Sequence, residues 1–323
     1  MHRPVIVTGA AGFAGSHLAD RLARKLPPDQ PLVAWHRPGG TLPRTCAPRV
    51  TWAAVDLLDR EAVAAAIAGT QPTAVYHCAG SPHVASSWSD SLVPLESNVL
   101  GTHHLLLAVE RHAPDARVLV PSSALVYAPA DCALAEEAPL LPRTPYGLSK
   151  LAQELLAARA HGDRDLRTLI ARPFNHIGPR QRDSFVASAF ARQIAEAEAG
   201  LGEPVVRVGN LEARRDLTDV RDTVRAYQAI VERGATGRTY NVCSGRAYRV
   251  GELLERLIAM ARVPMRVAVD AARLRPADIP LLAGDPSRIE RELGWRAEIP
   301  IEETLADLLA HWRTEVRGRE ERA

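Results

Sequence analysis

The stretch Pro4-Val-Ile-Val-Thr-Gly-Ala-Ala-Gly-Phe-Ala-Gly-Ser-His-Leu18 decides the fold. Val5 to Val7 is a short β-branched run, suited to a strand buried on both faces. Gly9, Gly12 and Gly15 punctuate the turn behind it, and an amphipathic stretch then runs to about Lys25. Gly9 permits a tight turn, Gly12 lets backbone amides approach an anion, and Gly15 lets the helix sit close on the strand. Around Phe13 and Ala14 the start of that helix presents unpaired N–H groups and partial positive charge. Strand, glycines and helix in this order point to a dinucleotide's pyrophosphate rather than to a plain turn.

Composition narrows the class. At 323 residues the chain has room for one large or two coupled domains around a sizeable core. Forty basic residues face 38 acidic ones, and a net charge of +2 makes nucleic acid an unexpected partner. No apolar run approaches the ~18 residues of a membrane span, and a strand starting at Val5 leaves no length for a secretory leader. Cys46, Cys78, Cys132 and Cys243 lack metal-ligand or redox spacing. They read as reduced packing cysteines of a cytoplasmic protein without a metal.

Through the first half, strand-like runs alternate with helical patterns. Leu32–Trp35, Val50–Val55, Ala74–His77, Arg117–Pro121 and Thr168–Ala171 read as strands; Arg60–Ala68, Leu92–Ala113 and Pro145–Ala160 read as helices. The alternation predicts an α/β fold, a Rossmann-type doubly wound parallel sheet with its ligand along the carboxyl ends of the strands. After the second strand, where an acidic residue would bind adenosine ribose hydroxyls, the chain has Trp35-His36-Arg37. Arg37 can pair with a ribose 2′-phosphate, which favours NADP(H) over NAD(H); the bland alternative is a solvated loop arginine. Asp56, with Leu57 beside it, is placed either to meet the adenine edge or to begin a helix. Tyr76-His-Cys-Ala-Gly80 ends the fourth strand in small residues, so the backbone at Ala79 can lie against the cofactor, and Arg172 completes this set. In the following polar loop, His83 and Ser86 are candidates for touching substrate, and Asn98 reads as a structural amide.

The chemistry is carried by two segments. Val118-Leu-Val-Pro-Ser-Ser-Ala-Leu-Val-Tyr127 puts serines at a strand end, and Pro145-Tyr-Gly-Leu-Ser-Lys150 opens a helix. Tyr146 and Lys150 stand four apart, hence on one helical face. A free phenol titrates near ~10, too high for easy proton transfer at neutral pH; a neighbouring ammonium is expected to lower it. Ser123 can donate to the carbonyl oxygen that Tyr146 protonates. With six tyrosines and only two lysines in the chain, chance yields a Tyr-x-x-x-Lys pair about 4% of the time on independent composition. Arginine serves everywhere else, and it can neither give up its proton nor present a compact head. The pair is therefore read as catalytic.

These residues beside a Gly-x-x-Gly-x-x-Gly loop resemble the extended short-chain dehydrogenase/reductase family, in its nucleotide-sugar branch. The second half sharpens the likeness. Phe174-Asn-His-Ile-Gly-Pro179, Val208-Gly-Asn-Leu-Glu-Ala213, Arg215-Asp-Leu-Thr-Asp-Val-Arg-Asp222 and Tyr240-Asn-Val-Cys-Ser-Gly245 are similar to the GDP-6-deoxy-4-keto-D-mannose reductase family, itself related to GDP-mannose 4,6-dehydratases. The resemblance implies NAD(P)H-dependent reduction of a GDP-linked 4-keto sugar to a GDP-D-rhamnose-type product. It places Asn175 and Arg192 on the diphosphate, Arg215 on phosphate or ribose, and Arg275 and Asp278 near ribose or base. It also implies a homodimer built as a four-helix bundle, for which the Leu105–Val109 and Leu151–Ala158 faces are candidates, with burial inside the monomer as the alternative. The smaller, interleaved C-terminal substrate domain would comprise residues 173–218 and about 243–323. The cofactor domain would comprise 1–172 plus about 219–242, including helix Asp219–Arg233 and strand Tyr240–Val242.

One departure bears on the reaction. The dehydratases carry a glutamate two residues before the tyrosine of the serine loop, as the base for water loss; here that position is Leu125. Leucine cannot act as a base. Asp131, Glu136 and Glu137 are the nearby carboxylates that could replace it. A 4-epimerase or dehydratase with a recycled bound cofactor is the alternative enzyme, and a silent nucleotide-sugar binder the alternative from another class.

Overall fold

A computed structural model of the chain describes residues 2–43, 47–82, 86–274 and 279–320. The first half runs β1 (Val5–Thr8), α1 (Phe13–Lys25), β2 (Leu32–His36), β3 (Val50–Ala54), α2 (Arg60–Thr70) and β4 (Ala74–His77). Short helices α3 (Ser86–Ser89) and α4 (Leu92–Pro94) lead through a π-helical turn, Leu95–Leu100, into α5 (Gly101–His112). Then come β5 (Arg117–Pro121), α6 (Pro145–Arg164), β6 (Arg167–Pro173), β7 (Asn175–Ile177), α7 (Val186–Glu198) and β8 (Val205–Val208). After β9 (Arg214–Asp219) follow α8 (Val220–Arg233), β10 (Thr239–Val242), β11 (Ala247–Arg249), α9 (Val250–Ala259) and β12 (Arg266–Val269). The described chain closes with β13 (Leu281–Leu282), α10 (Ser287–Leu293) and α11 (Ile301–Glu320).

Seven strands form one parallel sheet in the order β10-β6-β5-β4-β1-β2-β3. The β-branched residues of β1 are buried without exception, as a central strand requires. The order reverses between β1 and β4, because the chain winds outward to β3 and returns on the other side of β1. Such a switch point leaves a crevice at the carboxyl ends of the two strands. Its walls are Gly9 and Ala79.

Two apolar layers cover the sheet. Leu18 and Leu22 of α1 pack with Val224, Tyr227 and Ile230 of α8 on one face. Leu105 and Val109 of α5 pack with Ile67 of α2 and Ala157 of α6 on the other. The Leu105–Val109 face is thus largely spent inside the chain. Exposed apolar surface appears instead at Leu92, Leu95 and Leu100, and at Leu148 and Leu155 of α6.

A second core lies among Phe190 and Ile194 of α7, Leu253 and Leu257 of α9, and Leu305, Leu308 and Leu309 of α11. Beside it β9 pairs with β7, β11 and β13, and β8 pairs with β12. The Arg214–Asp219 segment reads as loop in sequence because its charged and polar residues hide the strand pattern. Its Asp216 is nevertheless fully buried, accepting hydrogen bonds from the Ser244 amide and hydroxyl at 2.8 Å and from the Gly245 amide at 2.9 Å. Burial raises this carboxyl above its ordinary value. Near the C-terminal end, Ile289, Leu293 and Trp295 return to the core of the large sheet. The Trp295 Nε1–H donates to the Asp222 carbonyl there, at 3.1 Å.

The other departures are local. Leu92–Ala113 is not one helix, since the π turn interrupts it. Cys132 is exposed and so packs against no core, whereas Cys243 is buried.

Candidate active site

Gly9 adopts φ +63°, and a Cβ on it would lie 2.6 Å from the Ala79 backbone. A Cβ on Gly15 would run into the Gly9 carbonyl. Only glycine lets the turn close this tightly. Gly12 caps α1 without any side-chain hydrogen bond, so the first amides of the helix point outward unpartnered by a cap. A diphosphate fits this cradle: it supplies acceptors where the helix offers donors. Phe13 stacks flat on His176 of β7, ring centroids 5.5 Å apart, which ties the glycine loop to the second lobe. Ala14 lies in the first turn of α1.

Around this cradle the residues expected to meet the cofactor divide. Ala79 donates its amide to Thr8 Oγ1 at 3.2 Å and lines the crevice. Arg37 is exposed just beyond β2. Asp56 is half-buried and accepts from the Leu58 amide at 3.0 Å. The Leu57 carbonyl meets His104 Nδ1 at 2.9 Å. Arg172 does not belong to the set. Its guanidinium is buried and clamps Glu154 through Nε at 2.9 Å and Nη2 at 2.7 Å. Its Nη1 reaches the Tyr127 hydroxyl and the Glu136 carbonyl, both at 2.9 Å. Its planar fork is spent inside the fold, where an unpaired charge could not stay.

The serine loop and α6 meet at a built junction. Thr144 caps the helix by accepting from the Gly147 amide at 2.9 Å, and Pro145 sets the first helical position, which fixes where Tyr146 emerges. A Cβ on Gly147 would lie 2.5 Å from the Leu125 carbonyl, so glycine is what lets the helix touch the loop. Ser123 Oγ accepts from the Leu125 amide at 3.2 Å, leaving its own proton to donate. Burial pushes the Tyr146 phenol up to about 12, and a hydrogen bond from Ser123 pulls against it. The expected lowering by Lys150 is not what the site does: the ammonium is drawn to Gln153 instead. Its charge is felt by His77, Cys78 and Glu154. A phenol held this high stays protonated at neutral pH, as a proton donor must.

Asn98, fully buried in the π turn, binds the strand-end loop to this helix. Its Oδ1 accepts from the Ser81 amide at 2.8 Å, and its Nδ2 donates to Ser149 Oγ at 2.9 Å. The structural reading of this amide holds, but the sequence pattern does not single out Thr102 or Gln153, both fully buried. The signal that could have found them is polar residues falling on core-facing helical positions, 98 and 102 four apart, 150 and 153 three apart.

The second lobe contributes less regular geometry. Asn175 is exposed at the start of β7. Arg215 donates to the Ile279 carbonyl at 2.6 Å. Arg192 is held between Asp183 and Glu196, so a phosphate would have to displace carboxylates to reach it. Ser86 opens α3. His83, Arg275 and Asp278 lie outside the described residues. Of the carboxylates near Leu125, Glu136 accepts from the Asn241 amide at 2.8 Å, Glu137 pairs with Arg288, and Asp131 is exposed.

A phenol and a serine hydroxyl meeting beside a glycine-walled crevice in a parallel sheet define a nicotinamide-dependent oxidoreductase of the extended short-chain dehydrogenase/reductase type. Residues 6–308 match the family model described as GDP-mannose 4,6 dehydratase, and the chain belongs to that family. It is 37% identical over 320 residues to the GDP-6-deoxy-D-mannose reductase of Pseudomonas aeruginosa, covering 98% of this chain and 99% of that protein. The solved structure of RMD from Pseudomonas aeruginosa complexed with NADPH superposes with a TM-score of 0.84 at 34% identity, covering 97% of this chain and 99% of that one. MoeE5 in complex with UDP-glucuronic acid and NAD gives a TM-score of 0.85 at 30% identity, with the same coverage. No helix among the described residues is long and apolar enough to cross a membrane.

Proposed function

We propose that the chain reduces the 4-keto group of a GDP-4-keto-6-deoxy-hexose, of the GDP-6-deoxy-4-keto-D-mannose to GDP-D-rhamnose type. The observation that carries this reading is a complete proton-donating pair, Ser123 and Tyr146, standing where Leu125 replaces a base. The glycine loop at Gly9, Gly12 and Gly15 would hold NADPH, which would supply the hydride for C4 of the sugar. Tyr146 gives its proton to the carbonyl oxygen, and the Ser123 hydroxyl donates to the same oxygen. Lys150 has three N–H donors, of which one serves Gln153. The others are available to the nicotinamide ribose. Glu136 and Glu137 are engaged by other partners, which speaks against water loss. Arg37 suits a 2′-phosphate, hence NADP(H) before NAD(H). The similarity to a reductase solved with NADPH supports both choices.

Asn175 and Arg215 are the better candidates for the GDP moiety, and Arg192 the weaker one. We assign residues 1–172 and about 219–242 to cofactor binding, and 173–218 with about 243–323 to the nucleotide sugar. The chain would act in the cytoplasm, where NADPH and nucleotide sugars are available. The exposed leucines of α6 and of the Leu92–Leu100 segment would pair with those of a second copy as a four-helix bundle. Incubation with GDP-4-keto-6-deoxy-mannose and NADPH should lower absorbance at 340 nm; no oxidation with any 4-keto nucleotide sugar would sink the proposal. Oxidised cofactor co-purifying with the protein, and turnover without added reductant, would favour an epimerase or dehydratase instead.

A further inference from the structure

Lys150 sits at the end of a buried chain of side chains that the proton-transfer chemistry does not itself use. Its ammonium donates to Gln153 Oε1. Gln153 Nε2 donates to Thr102 Oγ1 at 2.7 Å, and the Thr102 hydroxyl donates to the Asn98 carbonyl at 2.5 Å. His77 Nε2 lies 2.9 Å from Thr102 Oγ1, and His77 Nδ1 lies 2.9 Å from Thr8 Oγ1. Thr8, Thr102 and Gln153 are fully buried, and His77 nearly so.

Counting protons fixes every direction in this chain. Thr102 has one hydroxyl proton, given to the Asn98 carbonyl, so His77 must carry its proton on Nε2. Nδ1 then accepts from Thr8, whose oxygen in turn accepts from the Ala79 amide at 3.2 Å. An ammonium cannot accept, so the Gln153 amide can face Lys150 only with its oxygen. The amide therefore has no alternative rotamer that keeps its partners.

We propose that Gln153 is a positioning residue: its side-chain amide, locked by Thr102 and His77, holds the Lys150 ammonium at a fixed place and links it to the strand-end loop that receives the dinucleotide. This rests on the reading of Lys150 as the cofactor-facing lysine. A neutral acceptor matters here. The titratable groups against Lys150 are Glu154 on its own helix, His77 at the end of β4 and Cys78 just beyond it, with Tyr227 of α8 against Cys78 and Tyr146. Glu154 is already engaged by Arg172. Burial draws the Lys150 ammonium down to about 8, so a change of acceptor at position 153 moves its charge through the working pH range.

The composition supplies a direct readout, because Lys25 and Lys150 are the only lysines. Protein labelled with 13C-lysine gives two side-chain resonances, and K25R assigns them. In wild type the Lys150 signal should titrate near 8, far below exposed Lys25. Gln153→Glu should raise that midpoint by about one unit or more, and Gln153→Met should lower it by about one unit. The alkaline limb of the kcat/KM profile should move with the midpoint, while Tm confirms that each variant is folded. Should Gln153→Glu fail to fold, Gln153→Met decides, with Thr102→Val expected to lower the midpoint by less. Midpoints unchanged in the folded variants would overturn the proposal. The titration needs neither substrate nor cofactor, so its failure leaves the reductase reading intact, and absence of NADPH oxidation leaves the titration readable.

Discussion

The proton-transfer pocket and the second lobe spend charge in opposite ways. In the pocket, Ser123, Lys150, Gln153 and Thr102 are buried, and the bonds linking Lys150, Gln153 and Thr102 each have one possible direction. In the lobe, Arg192, Asp183 and Glu196 form a partly exposed network open to water, and Asn175 is exposed. Burial makes unsatisfied polar groups costly, so the pocket is rigid by necessity. Exposed ion pairs cost little to rearrange. The difference suits a site that must fix one proton donor while accommodating a large, charged nucleotide sugar.

The sharpest way to break that comparison is at the phenol. Tyr146→Phe should lower kcat roughly a thousand-fold, while NADPH affinity measured by fluorescence titration stays within a few-fold. Substantial turnover in the variant would remove the phenol from the mechanism.

Next come the two classes of ion pair. Arg172→Met leaves the buried Glu154 carboxylate uncompensated and should cost about 3–5 kcal/mol in urea unfolding. Arg192→Ala should cost less than about 1 kcal/mol. Equal losses would show that the lobe is held as rigidly as the pocket. In the crevice, Gly9→Ala places a Cβ against the Ala79 backbone at a positive φ. A loss of about 1–3 kcal/mol is expected, together with weakened NADPH binding, and an unchanged dissociation constant would show that the turn tolerates it.

A further expected effect concerns pH. Burial holds His77 down at about 3 and His17 at about 4, against an ordinary value of 6.5. The unfolded chain therefore takes up these protons first as pH falls through 6.5. Stability should be constant with respect to these groups above about pH 7 and decline below 6.5, by up to about 1.4 kcal/mol per pH unit for each ring. Urea midpoints at pH 7, 6 and 5 test this, and His17→Gln should flatten the decline. A level profile would mean that neither ring is excluded from water.

The parallel sheet was legible because most of its strands are apolar runs ended by small or turn-forming residues. Ala74–His77 and Arg117–Pro121 fall where the pattern places them. In the second lobe Val205–Val208 reads as a strand and is one, but β9 was hidden, because Arg214-Arg-Asp-Leu-Thr-Asp219 carries charged and polar residues into burial against Ser244, Gly245 and Gly284 far along the chain. Tyr146 with Lys150 was legible from spacing and from the scarcity of lysine. The partner of Lys150 was not, since a lysine and a tyrosine on one helical face still choose between each other and whatever the rest of the fold brings near.

The amino-acid order by itself determined the glycine turn, the strand and helix succession and the pairing of Tyr146 with Lys150 on one helical face, because these rest on local conformational freedom and on residue spacing. Only the tertiary structure decided that Arg172 is a structural clamp, that burial rather than the lysine governs the phenol, and that Gln153 holds the ammonium. Each of those depends on which groups lose their water together, and that is settled by packing between segments far apart in the chain.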